Sequence, residues 1–97
     1  MADAFEIRYA EAAVEDIRGL RAFERVKVMD GIELHLTHQP TLVSRSRIKA
    51  MTQPFWSQYR LRIDDFRVYY DVSENDRVVN GLRVLQKKTD QTPEKSP

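Results

Sequence analysis

The sequence predicts a small α+β domain in which a mainly antiparallel sheet carries the chemistry. From Tyr59 to Leu85 the chain reads YRLRIDDFRVYYDV, a polar interval, then RVVNGLRVL. These are three short runs that alternate apolar and charged residues, as strands buried on one face do. Ahead of them, AFEIRY from Ala4 to Tyr9 alternates as an opening strand. The period then changes to helical over Glu11 to Leu20, where Val14, Ile17 and Leu20 recur with Ala10 and Ala13.

The C-terminal half fixes its own register. With Asp64-Asp65 as a two-residue turn, Ile63 faces Phe66, Arg62 faces Arg67, Leu61 faces Val68 and Arg60 faces Tyr69. Leu61, Ile63, Phe66, Val68 and Tyr70 share one side; Arg60, Arg62, Arg67 and Tyr69 share the other. Two arginines directly opposite each other destabilise a sheet, and an anion relieves that repulsion. For the third strand, pairing Val72 with Val78 across SENDR sets Val68 opposite Leu82 and Phe66 opposite Val84. Arg83 then joins the row of Arg62 and Arg67, with Lys87 following. Such a row suits phosphate, because each guanidinium donates planar, charge-assisted hydrogen bonds; the competing reading is a solvated strand face.

Composition bounds the rest. Ninety-seven residues make one domain with a modest core. The 41% apolar and 32% charged residues are ordinary for a folded, soluble domain. No apolar run approaches bilayer-spanning length, the first residues lack the pattern of a signal peptide, and a cytoplasmic location is the expectation. The absence of cysteine excludes disulfides, thiolate zinc sites and a cysteine nucleophile. Net charge is only +1, but residues 42–70 carry Arg45, Arg47, Lys49, Arg60, Arg62 and Arg67 against Asp64 and Asp65, about +4, while the first forty residues sum to about −3. Local basicity of this kind marks an anion-binding face.

Arg21 to His38 fits two structures. RVKVMDGIELHL alternates around Asp30-Gly31, a hairpin signal, while Ala22, Val26, Met29, Ile32 and Leu36 form one helical stripe in which Gly31 costs about 1 kcal/mol relative to Ala. Pro40 ends either element. Thr41 to Ser57 reads as a long polar and basic connection. In it Ser44, Arg45, Arg47 and Lys49 are candidates to contact a nucleic-acid backbone, with solvated loop charge as the competing reading, and Trp56 is expected to pack over the sheet edge, with stacking on a base as the alternative. Residues 1–88 are expected to form the domain and the polar tail from Thr89 to be disordered. His35 and His38 stand one helical turn apart without a third ligand, so no metal and no cofactor is expected. Asp64-Asp65 is explained by turn chemistry.

The order of elements resembles the RelE/ParE superfamily of toxin-antitoxin toxins. The opening strand, the helix ending IRGL, LTHQPT, SRSRIKAM, and YRLRIDDFRVYYDV followed by RVVNGLRVL carry the likeness over about residues 4 to 88, with YRLRIDDFRVYYDV its most specific part. The resemblance implies an α/β (α+β) fold, two N-terminal helices packed on a small, mainly antiparallel four-stranded sheet, and so makes Arg21 to His38 a second helix. It implies a toxin neutralised by a cognate antitoxin, with a toxin-antitoxin complex that binds operator DNA, and no membrane partner. In the RelE-like branch, basic side chains hold messenger RNA in the ribosome while the ribose 2′-hydroxyl attacks the phosphate, a metal-independent cleavage. By position Arg60, Arg62 and Arg67 match that set, and Lys87 or Lys88 falls near its last basic member. The family's C-terminal acid/base Tyr or His has no match in LQKKTDQTPEKSP. Tyr69 is the substitute the sequence offers, with a sheet tyrosine covering Gly81 as the alternative. The expected catalytic set is thus Arg60, Arg62, Arg67, Arg83, Lys87 and Tyr69, with Arg45, Arg47 and Lys49 on RNA and Phe23 and Leu34 on the antitoxin. The ParE-like branch instead poisons DNA gyrase through a protein contact, and a catalytically degenerate toxin that only binds antitoxin and operator shares the same fold. The arginine row favours RNA cutting.

Overall fold

The structure, a computed structural model, describes residues 4–87. The chain forms β1 (Glu6–Tyr9), α1 (Glu11–Arg18), α2 (Ala22–Leu36), β2 (Ile48–Ala50), β3 (Tyr59–Ile63), β4 (Phe66–Ser73) and β5 (Val78–Gln86). The sheet is ordered β1-β5-β4-β3-β2, with β1 parallel to β5 and every other pair antiparallel. This is the expected pair of helices on a mainly antiparallel sheet. A fifth strand, β2, lies inside the connection read as irregular. The expected tail lies outside the described residues, and so does Lys88. Among the described residues no helix is long and apolar enough to cross a membrane.

Alternation along β3 and β4 sends Leu61, Ile63, Phe66, Val68 and Tyr70 into one core with Val28, Ile32 and Leu36 of α2. The segment left open between hairpin and helix is therefore a helix. Its buried row is Val28, Ile32 and Leu36 at four-residue spacing; Val26, placed in the expected stripe with Ala22, is 59% exposed. Gly31 sets how closely this face meets the sheet. A Cβ there would stand 2.7 Å from Ile63 Cδ1, so only glycine lets α2 lie this close to β3. Tyr70 extends beneath the helix and its hydroxyl donates to Pro40 O at 2.6 Å, which ties the chain leaving α2 to the middle of the sheet.

The turn between the helices is closed by Arg25. Its guanidinium donates to the carbonyls of Ile17, Arg18 and Leu20 at and just past the end of α1. Past Gly81, β5 loses its strand neighbour, and α1 takes over that edge. The Asp16 carboxylate accepts from Val84 N at 2.9 Å and, in two-pronged fashion, from Arg83 Nε and Nη2 at 2.7 and 3.0 Å.

The third-strand register differs from expectation. Val78 pairs with Ser73 and Val79 with Val72, while beyond an irregularity at Tyr69/Tyr70 Val84 pairs with Val68 and Gln86 with Phe66. Two causes add. The β4–β5 loop closes a residue sooner, helped by Arg77 at φ 55, and β5 bulges at Leu82, which has no partner in the ladder. Arg83 consequently stands opposite Tyr69, and Leu85 takes the place opposite Arg67.

Candidate functional site: a cationic pocket on the outer sheet face

The β3–β4 turn forms as two residues because Asp64 accepts a left-handed backbone, φ 53. It places Arg62 opposite Arg67 and Arg60 opposite Tyr69 as the sequence requires. Lys27 reaches the turn from α2 and pairs with Asp64 at 2.8 Å, so that carboxylate is engaged and lies below its ordinary range. Gln86 Nε2 occupies Asp65 Oδ2 at 2.7 Å. Both acids of the turn thereby hold a side-chain partner other than the arginines of the row.

Around these arginines the chain folds a pocket of about 250 Å³ lined by Arg45, Arg47, Lys49, Arg60, Arg62, Arg67 and Lys87, with Val43, Ser44, Ser46 and Ile48 completing its wall. Ser44 builds the wall: its hydroxyl accepts from Arg47 N and Ile48 N at 3.1 and 3.3 Å, curling the loop before β2 enters the sheet against β3. Lys87 is brought in by its amide, which donates to Asp65 O at 2.7 Å. Arg47 is seated by Nη1 on Arg62 O at 2.9 Å. Arg67 is the floor, 8% exposed, with Nη1 donating to Asp64 O and Phe66 O at 3.1 and 3.2 Å. Among the described residues none of these seven cations is within ion-pair distance of a carboxylate. Burial, then the charges of Arg60 and Arg62, hold the Arg67 guanidinium below its ordinary value. Asp65 offsets this only in part, and a phosphate lying across the guanidinium groups would relieve the remaining repulsion.

Arg83 is not in this set. Its register places it beside Tyr69, and its charge is spent on Asp16, which raises its pKa. Tyr69 is in the row but covered: it is 1% exposed, under Trp56 at 4.6 Å and Phe55 at 6.1 Å between ring centroids, and burial pushes its hydroxyl up. That placement removes it from direct contact with a bound polymer. Gly81 is covered by Tyr9, with Tyr70 as its ladder partner, not by Tyr69. Trp56 packs on the outer sheet face, and Phe55, which the sequence reading passed over, stacks on it.

Next to the pocket, across Ser44, Arg47 and Ile48, lies a hollow of about 200 Å³ lined also by Leu34, His35, His38, Gln39 and Leu42. Burial, and then Arg47, lower the pKa of His35. Among the described residues no group of three or more His, Cys, Asp or Glu side chains could hold a metal. Phe23, Val26 and Leu34 are 63%, 59% and 75% exposed on one face of α2, and Leu42 and Val43 extend the apolar surface toward the pocket rim.

The architecture has close counterparts. It is similar to the toxin-antitoxin complex RelBE2 from Mycobacterium tuberculosis, with a TM-score of 0.77 at 20% identity, covering 90% of this chain and 94% of that one. It is similar also to the isolated Escherichia coli RelE toxin, with a TM-score of 0.67 at 16% identity over 90% and 89% of the two chains. The RelB-RelE antitoxin-toxin complex from Methanococcus jannaschii aligns at 0.58 and 20% identity over 81% and 88%. A search of curated proteins finds no match. The family model for the ParE toxin of type II toxin-antitoxin systems matches residues 7–91. The chain therefore belongs to that family, within the RelE/ParE superfamily, and is a toxin of a type II toxin-antitoxin system.

Proposed function

We propose that this toxin is an endoribonuclease that cuts messenger RNA in the ribosome and so stops translation. The observation that carries the reading is the pocket of seven cations, none of them within ion-pair distance of a carboxylate among the described residues. A phosphodiester seated there is gripped by Arg60, Arg62 and Arg67 from the sheet, by Arg45, Arg47 and Lys49 from the loop and β2, and by Lys87 from the end of β5. The 2′-hydroxyl gives its proton to water as its oxygen bonds to phosphorus, the bond from phosphorus to the 5′-oxygen breaks, and that oxygen takes a proton from water, leaving a 2′,3′-cyclic phosphate and a 5′-hydroxyl. Charge that builds on the non-bridging oxygens meets guanidinium donors already in place, which lowers the barrier selectively. Arg83 and Tyr69, the other two members of the expected catalytic set, act structurally.

The partner is a cognate antitoxin whose apolar side chains cover Phe23, Val26 and Leu34 and whose acidic residues enter the pocket. The complex binds operator DNA. One observation favours a second reading: the matching family is the ParE toxin family, whose gyrase-poisoning members need no acid or base, and Tyr69 is buried. Induction in cells separates the two. New message ends in primer extension with intact DNA are the expected result, and co-expressed antitoxin abolishes them. Trapped double-strand breaks without new message ends would instead assign the chain to gyrase.

A further inference from the structure

The outer sheet face holds three aromatic rings that phosphate binding leaves unused. Residues 51–58 are not a loose connection. The Gln53 side chain donates to Met51 O and Ser57 O and accepts from Phe55 N, Ser57 Oγ donates to Tyr59 O, and Gln58 exchanges hydrogen bonds with Asp71 and Val72 of β4. A loop braced at this density presents a fixed surface, and what it presents is Phe55 stacked on Trp56, centroids 5.0 Å apart and planes at 26°.

The rings lie beside the pocket, on the sheet face that carries Arg60. Trp56 lies on Tyr69, and Tyr69 is the cross-strand partner of Arg60, a lining residue of the pocket, so the stack begins one strand from the first phosphate ligand. Phe55 is the outer member, farther from Tyr69 than Trp56 is, and both rings keep partial exposure. Among the described residues Trp56 Nε1 is buried without a hydrogen-bond partner, so what the half-buried indole presents is ring surface and not its donor. Flat aromatic faces beside a basic track are how proteins hold unpaired bases.

We propose that Phe55, backed by Trp56, is a nucleobase subsite that stacks the base of a nucleotide neighbouring the phosphate in the arginine pocket. The inference rests on the ribonuclease reading and adds to it a subsite for the base, with purines stacking better than pyrimidines. Trp56 is the only tryptophan of the chain, so its fluorescence reports on the stack directly. The toxin, freed from its antitoxin, is titrated with a short single-stranded oligoadenylate, with oligouridylate, and with an abasic ribose-phosphate oligomer of the same length. Expected are quenching by oligoadenylate, weaker quenching by oligouridylate, and about tenfold weaker binding of the abasic chain. Phe55→Leu should erase the advantage of bases over the abasic chain, and Phe55→Tyr should keep it. Equal affinity for all three oligomers without quenching would overturn the subsite while leaving the phosphate pocket standing. Failure of every oligomer to bind would overturn the subsite as an independent base-binding surface, while the ribonuclease reading stands or falls on cleavage of ribosome-bound message.

Discussion

At the scale of single residues, a two-residue turn was enough to place Arg62 against Arg67, because alternation and a short loop leave no freedom in the pairing. Burial was not legible. Arg67 is buried at a pocket whose other lining, Arg45, Arg47 and Lys49, comes from the loop and β2, and nothing in a strand's own sequence shows walls contributed from elsewhere. Arg83 was misplaced for a related reason: a bulge at Leu82 and a carboxylate from α1, both remote from the pattern being read, redirect it. The buried, crowded guanidinium of Arg67 makes a stability prediction. Arg67→Met keeps the stem and removes the charge, so thermal or urea denaturation should find the variant as stable as the parent or more so, by about 0.5 kcal/mol; a loss above about 1 kcal/mol would make Arg67 a structural residue. His35 predicts a pH effect. Burial and Arg47 lower its folded pKa from the ordinary 6.5, so the unfolded chain takes up the proton first. Its contribution is present above that value and is lost as pH falls through it. Asp64, also lowered, acts only below its ordinary 3.8 and does not overlap. The melting temperature should fall between about pH 7.5 and about pH 5.5, and His35→Gln should flatten the slope; an unchanged slope would mean that another group titrates.

At the scale of elements, the strands with clean alternation were legible and so was α1. The α2 segment was not decided by its own residues, since Asp30-Gly31 satisfies both a hairpin turn and a tolerated helical glycine; the family resemblance chose the helix. The inward stripe of α2 was legible at Ile32 and Leu36 but not in its first turns, where Val28 is buried and Val26 of the expected stripe is exposed. Strand β2 was missed because three residues, two of them exposed, carry no period. Gly31 offers a direct check. In an open helix Gly→Ala gains about 1 kcal/mol, but here the new methyl meets Ile63 and overpacking costs typically 1–3 kcal/mol. Gly31→Ala should therefore destabilise by roughly 1 kcal/mol, and adding Ile63→Val, which removes the Cδ1 in closest contact, should recover part of it. A stabilised Gly31→Ala would mean that α2 lies farther from β3 than described.

At the scale of the whole molecule, charge is sorted more sharply than a net value of +1 implies. Asp16, Asp64 and Asp65 each hold a structural partner, and seven cations from three separate segments converge on one hollow of the outer sheet face. The sheet part of that convergence could be read from residues 59 to 85. The loop part could not, since Arg45, Arg47 and Lys49 are ordinary loop charges until β2 draws them against β3. The central claim is that this hollow stabilises the charge developing on a cleaved phosphodiester. Single-turnover cleavage of ribosome-bound message, measured beside equilibrium binding for the parent, Arg62→Ala and Arg67→Ala, tests it most directly. The account predicts that Arg67→Ala lowers the cleavage rate by about 10²-fold or more while binding falls much less, since preorganised donors act on the transition state above the ground state. Cleavage at the parent rate in both variants would contradict it.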